Sequence, residues 1–434
     1  MAVARLALCL MLLIFVGRES VWAQTPKAVD IVTVTAARMI DVDGGRIIAN
    51  PVITITNGRI TSIVENGTTT PTATGKLYAF PGKTILPGLI DMHVHLTGLS
   101  EIGGYRVFKY ADSFWGAVSV PNAKKTLDAG FTTVRNVGAN DFQDVGLKQA
   151  IDGGWVPGPR IIPATWAIGA TGGHCDVNDL PASFDKAAPP STINSPDEAR
   201  AKVRWLHKYG AEVIKICATG GVFSSGDSVG GQQLTLEEMK AIADEAHMLG
   251  LKVAAHAHGD EGIKTAILAG IDTIEHASLA SEATLTLAAA RKTWFSMDIY
   301  DDDCILADGT SNGTEQESLD KEAEIGLKQR QTFKRGVQLG VPMIFGTDAS
   351  ICPHGVNARQ FAKMVEWGMT PLQAIQSATR NAAQALGKTA DVGTIAVGRF
   401  GDLVIVSGDP LSDVRTLERV DAVIKGGELV KAGP

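Results

Sequence analysis

Glu212-Val-Ile-Lys-Ile-Cys217 decides how the rest of the chain is read. Alternation along a strand sets Lys215 on one face with Val213 and Cys217, and leaves Ile214 and Ile216 to pack outward under covering helices. A lysine amine held inside a sheet or barrel needs a chemical reason. Four other apolar runs end in metal-ligand residues and supply one: Ile90-Asp-Met-His-Val-His95, Val253-Ala-Ala-His256, Thr273-Ile-Glu-His276 and Ile344-Phe-Gly-Thr-Asp348. His93 and His95 share a face, so two imidazoles converge on one point.

Burial disfavours an ammonium ion and lowers a lysine pKa, leaving an amine able to take up carbon dioxide as a carbamate. Lys215 is therefore expected as N6-carboxylysine, bridging two divalent metal ions, most simply Zn2+. His93, His95, His256, His276 and Asp348 complete the expected ligand set.

Eight apolar segments alternate with helical ones: those at Leu89, Thr132, Arg160, Glu212, Lys252, Thr273, Thr293 and Pro342. Eight such units predict an α/β chain built as a (β/α)8 TIM barrel, whose functional groups gather at strand C-terminal ends. That rule sorts the nine histidines. His93, His95, His174, His256, His258, His276 and His354 fall at or just after strand ends, whereas His207 and His247 lie in helical patterns. Thr235 with Glu238 reads as a capping box opening a helix from Leu236.

Short β segments with an Asn57-Gly58 turn precede the barrel, and similar texture follows Gly393. Both chain ends are expected to join in a small β-sandwich, giving 24–84 and 391–434 around a barrel at 85–390. Residues 1–23 have the basic start, apolar middle and small-residue end of a signal peptide cleaved near Ala23. Its apolar run of about eleven residues is short of a membrane span, so no integral membrane association is expected after cleavage. A periplasmic or secreted location follows. Cys175, Cys217, Cys304 and Cys352 remain; their spacings fit no zinc ribbon and leave disulfide pairing open. Forty basic against 47 acidic residues, a net charge of −7, offer no support for nucleic-acid binding.

The chain resembles the metal-dependent amidohydrolase superfamily. The resemblance rests on Pro87-Gly-Leu-Ile-Asp-Met-His-Val-His95, Lys215, His256, His276, Asp348 and Val392-Gly-Thr-Ile-Ala-Val-Gly-Arg-Phe-Gly-Asp-Leu-Val404. Gly401 stands where alanine is commoner. Val213-Ile-Lys-Ile-Cys-Ala-Thr-Gly-Gly221 and Ala254-Ala-His-Ala-His-Gly259 are similar to the prolidase-like branch of dipeptidases and carboxypeptidases, within which ochratoxin-degrading members release amide-linked phenylalanine.

The resemblance implies hydrolysis of an N-acyl amino acid or dipeptide, with a metal-shared hydroxide attacking the amide carbonyl. It makes Asp348 a proton shuttle as well as a ligand, and implies a homo-oligomer acting on a small-molecule amide. His174, after Gly169-Ala-Thr-Gly-Gly173, is expected to bind the substrate carbonyl or carboxylate. His258 and Tyr300 are the other expected substrate contacts. Gly220 to Gly231 matches no phosphate loop and reads as a mobile active-site loop; Pro189 to Pro196 reads as a surface excursion. Two other readings stay open: a hydrolase of cyclic amides, lactones or organophosphates on the same metals, and an inactive amidohydrolase-like assembly protein, against which the intact ligand set argues.

Overall fold

A computed structural model describes residues 29–67, 75–178, 180–183 and 190–433. The expected leader at 1–23 lies outside the described residues. The first strands are β1 (Ile31–Asp41), β2 (Arg46–Ala49), β3 (Val52–Thr56), β4 (Arg59–Val64) and β5 (Lys76–Pro87). Asn57 (φ 49°) and Gly58 (φ 82°) turn β3 into β4, the positive φ pair that a two-residue hairpin demands.

Next come β6 (Leu89–Val94), β7 (Phe131–Asn136), β8 (Arg160–Pro163), the short parallel pair β9 (Gly169–Ala170) and β10 (Thr192–Ile193), then β11 (Val213–Cys217), β12 (Lys252–Ala257), β13 (Thr273–His276), β14 (Trp294–Ser296) and β15 (Met343–Ile344). The chain ends with β16 (Leu403–Ser407), β17 (Val420–Lys425) and β18 (Glu428–Ala432).

All eight strands expected of the central unit are present. They pair in parallel as two arcs, β6-β7-β8 and β11-β12-β13-β14-β15. Backbone hydrogen bonds cross both gaps: Met92 N to Phe345 O at 2.8 Å and His95 N to Ala349 O at 2.9 Å on one side, Glu212 N to Pro163 O and Ile168 N to Lys215 O at 2.8 Å on the other. The ladders themselves do not form one continuous eight-stranded ring. Pro163, which has no N–H to donate, ends β8 at one of the gaps.

Helices follow the strands: α1 (Asp112–Asp128) after β6, α2 (Gln143–Asp152) after β7, α3 (Pro196–Lys208) after β10, α4 (Leu236–Met248), α5 (Asp260–Ala269) and α6 (Glu282–Arg291) after β11, β12 and β13. Two helices, α7 (Asp301–Asn312) and α8 (Gln316–Gln338), follow β14, and α9 (Arg359–Glu366) follows β15. The capping box at α4 forms both its bonds, Glu238 N to Thr235 Oγ1 at 3.2 Å and Thr235 N to Glu238 Oε2 at 2.9 Å.

The two chain ends join, as expected, but as one eight-stranded sheet in which β5 lies between β1 and β16. Strand pairing does not show a two-layer sandwich. The sheet has its own apolar cluster, including Val32, Ile53, Ile85, Leu403 and Ile424, apart from the large cluster under the central strands.

One local expectation is corrected. The segment from Pro189 to Pro196 is a surface excursion only in part: Pro190 and Asn194 are exposed, but Ser191 and Ile193 are fully buried, and Ser191 Oγ donates to Ala167 O at 2.7 Å. Pro189 itself lies outside the described residues. Pairing of β10 with β9 draws this piece of chain inward, and β9 in turn packs against the strand that carries Lys215.

Candidate active site

Six of the seven strand-end histidines line one cavity of about 320 Å³: His93, His95, His174, His256, His258 and His276, together with Lys215 and Asp348. His354, the seventh, lies behind it, with Nε2 3.2 Å from His95 O. His247 pairs with Asp272 at 2.7 Å on the outside, a structural role.

The strands aim these groups by different means. On β12, simple alternation places His256 and His258 on one face, their ring centroids 4.7 Å apart. His276 and Asp348 sit at strand ends with φ of 69° and 47°, left-handed conformations that cost a non-glycine residue about 1–2 kcal/mol. Such strain concentrates at functional sites. Thr347, hydrogen-bonded from Oγ1 to buried Asp91 at 2.7 Å, and Asn357, bonded to the same carboxyl at 2.8 Å, hold the Asp348 turn. Burial raises Asp91 to about 7 despite these donors.

His93 is oriented from beneath. Its Nδ1 donates to Glu275 Oε2 at 3.1 Å, and Glu275 Oε1 accepts from Arg135 at 2.7 Å and from Thr273 at 2.6 Å. Burial alone would raise Glu275, yet Arg135 and His93 hold it well below the ordinary carboxylate range. Nε2 of His93 is thereby turned to Asp348 Oδ1 at 3.4 Å, and His95 Nε2 reaches the same oxygen at 3.1 Å. His276 Nδ1 is fixed likewise by Asp298 at 2.7 Å, itself held by Gln329 at 2.6 Å.

The donor chemistry fits divalent metal ions. Burial depresses His93 to about 4, and His256 and His258 well below the usual imidazole range, so all three are neutral and able to donate a lone pair. His276 is the exception: burial opposes its charge, but Asp298 holds its value up. Asp348 Oδ1 is buried, with the ring nitrogens of His93 and His95 turned towards it. Lys215, lowered by burial, meets Glu275 and Asp348 only through space, without an ion pair among the described residues. Within 4.8 Å of one another lie ligand atoms of His256, His258 and His276, and of His93, His276 and Asp348. Gly221 makes room: a Cβ there would fall 2.4 Å from His174 and 2.8 Å from His256.

His174 stacks on His256, centroids 4.0 Å apart, with Nδ1 2.8 Å from Ser224 Oγ. Ser224 belongs to the glycine-rich loop, which is tied down rather than free-standing: Asp227 accepts from Gln233 at 2.7 Å and pairs with Lys321 of α8 at 3.2 Å. Tyr300 is not brought to the cavity. At the start of α7 its hydroxyl accepts from Arg359 at 3.1 Å, so the expected substrate contact finds no support. Disulfides join Cys175 to Cys217 and Cys304 to Cys352. The first ties the His174 loop to the Lys215 strand.

A family model for amidohydrolases matches residues 84–430. The chain belongs to the amidohydrolase family. Ochratoxinase of Aspergillus niger is 30% identical over 378 residues, covering 81% of this chain and 76% of its own. The crystal structure of that enzyme superposes with a TM-score of 0.81 at 28% identity, covering 93% of this chain and 96% of the other. A Xaa-Pro dipeptidase with methionine bound in its active site gives a TM-score of 0.88 at 35% identity, covering 92% and 99%. This amidohydrolase is thus a hydrolase of the amide- and peptide-cleaving kind, with neighbours of the TIM-barrel type.

Arg135, Glu275, Asp298, Asp301, Glu322 and Ser224 went unread in the sequence. Glu275→Gln leaves Arg135 buried without its counter-charge, and the unfolding free energy should fall by about 3 kcal/mol in chemical denaturation. Asp244→Asn, at an exposed pair, should change it by less than about 0.5 kcal/mol. Equal effects would contradict the buried relay.

A pH test isolates Glu322, raised by burial from 4.5 to about 8. The folded state then holds a proton that the unfolded chain has released, so its stabilising contribution is present below about pH 4.5 and lost as pH rises through about 8. The melting temperature of metal-free wild type should therefore fall relative to Glu322→Gln between pH 5 and 8. A constant gap would contradict the assignment.

Proposed function

We propose that this amidohydrolase is a binuclear metal enzyme that cleaves the amide bond of N-acyl amino acids or dipeptides. The observation that supports it most directly is the convergence of six histidines, Asp348 and an ion-pair-free buried lysine on one cavity. In this reading His93, His95 and Asp348 would hold one divalent ion and His256 and His276 the other, with carboxylated Lys215 a ligand available to both. Zinc suits imidazole and carboxylate ligands. The two arcs of strands are read as one closed (β/α)8 barrel at 85–390, with 24–84 and 391–434 forming the accessory β-sandwich.

When bound, such a metal pair polarises the amide carbonyl and makes water acidic enough to attack at neutral pH. The protein's own part is positioning and proton transfer. Asp348 Oδ1 takes the proton that the attacking water gives up and delivers it to the amide nitrogen, so that the C–O bond forms as the C–N bond breaks. His174 and His258, facing the cavity with one ring nitrogen each engaged by Ser224 and Ser278, present the other to the substrate's carbonyl or carboxylate. Ochratoxin A, which carries amide-linked phenylalanine, is one candidate, given the likeness to ochratoxinase.

The chain is further proposed to work in the periplasm or outside the cell as a homo-oligomer, with residues 1–23 removed. The two disulfides are what an oxidising compartment favours.

On metal-reconstituted protein, N-acyl-phenylalanine and ochratoxin A should be hydrolysed and a carboxylate-blocked phenylalanine amide or a lactone should not. Asp348→Asn should lower kcat by about 10²–10⁴-fold. Preferential lactone turnover would replace this reading with the cyclic-substrate one, and an inert, metal-free protein would point to an assembly role.

A further inference from the structure

One wall of the cavity carries chemistry that bond cleavage does not use. Asp301 and Ile305 project from α7, Glu322 and Ile325 from α8, and Val222 from the glycine-rich loop. Asp301 and Glu322 are 5% and 4% exposed. Asp301 Oδ1 is buried with no hydrogen-bond donor, and Glu322 has no ion-pair partner among the described residues.

The basic side chains nearby are committed elsewhere. Arg330 pairs with Asp302 at 2.9 Å and Asp303 at 2.8 Å, Lys321 with Asp227 at 3.2 Å and Glu317 at 2.9 Å, and Lys363 with Asp303 at 2.9 Å. Buried carboxyls without a counter-charge are costly, and a fold that retains two in a cavity wall leaves the cation to come from the ligand. Both are packed out of water, and burial pushes Glu322 up to about 8.

The wall is amphipathic. Ile305, Ile325 and Val222 offer an apolar track, and Ile325 and Val222 belong to one packed cluster. A carboxyl pair above aliphatic carbons matches a ligand group with a methylene stem and a cationic head. Its place also says which half of the substrate it meets. Carboxylate oxygens of Asp298, Asp301 and Asp348 lie within 4.8 Å of one another. Asp348 is the group read above as giving its proton to the departing nitrogen, so the leaving amino acid emerges beside Asp301. The acyl half is left with the adjoining vestibule of about 770 Å³, lined by Tyr110, Trp115, Trp166 and Phe223.

We propose that Asp301 and Glu322 form a cation-recognising subsite that selects a leaving amino acid with a basic side chain, of the lysine or arginine class. This rests on the amide-cleavage reading. The methylenes run along Ile305, Ile325 and Val222, and the ammonium or guanidinium is shared by the two carboxyls. Phenylalanine fits the apolar track but leaves both acids without a counter-charge.

The test is a matched series of N-acetyl amino acids on the metal-reconstituted full chain: arginine, lysine, norleucine and phenylalanine. A charged hydrogen bond in a buried site is worth about tenfold or more, so kcat/KM for arginine and lysine should exceed that for norleucine by at least about tenfold. That ratio should collapse in Glu322→Gln and in Asp301→Asn, whatever the variants do to the overall rate. Norleucine or phenylalanine cleaved as well as lysine and arginine by wild type, or a ratio that survives both substitutions, overturns the subsite.

Calorimetry with free L-arginine and L-norleucine on the same wild-type preparation reads the wall without turnover. Arginine-selective binding supports the subsite even if no amide in the series is cleaved, an outcome that would sink the N-acyl amino acid reading alone. Equal or absent binding overturns it.

Discussion

Arg135, Glu275 and His93 form the contact on which the site depends. The three are essentially fully buried, and they come from β7, β13 and β6, 42 to 182 residues apart along the chain. Arg135 also donates to Met92 O at 2.5 Å and Thr273 at 2.8 Å, so its guanidinium ties three strands together. Taking two charges out of water is repaid only when such hydrogen bonding is complete. Here the same bonds set the His93 tautomer and point Nε2 into the cavity, coupling fold and chemistry through one ion pair.

Above that floor the site uses strain. The left-handed turns at His276 and Asp348 break the strand period where the barrel-like unit opens, and Asp91, Thr347 and Asn357 hold the second of them in place. Gly346 permits the approach of the last strand: a Cβ there would meet Ser296 Oγ at 2.1 Å and His93 Cβ at 2.9 Å. Around the rim, the Cys175–Cys217 and Cys304–Cys352 links tie the His174 loop to β11 and α7 to the segment that follows Asp348.

Much of this was legible in the sequence, and the reasons for the rest are physical. His93, His95, Lys215, His256 and His258 follow from alternation on strands long enough to show it. Glu275 does not, because period two sends it to the face opposite its neighbour His276; the positive φ of His276 lets that side chain reach the cavity while Glu275 points under it. Arg135 looked like an ordinary strand residue because its partners lie 138 and 140 residues away. Tyr300 was placed in the pocket by its nearness to a strand end, but the chain turns into α7 there and Asp301 takes the inward position. The acidic wall was hidden for the same reason: Asp301 and Glu322 meet only through the packing of α7 on α8.

The proposed chemistry requires Lys215 and the histidines to hold two metal ions. The most direct measurement is the metal content of the purified full chain by elemental mass spectrometry after reconstitution with zinc and bicarbonate and removal of free metal. Two equivalents per chain, falling to one or fewer in Lys215→Ala, is the result predicted. Less than one equivalent in wild type, or two retained without Lys215, would contradict it.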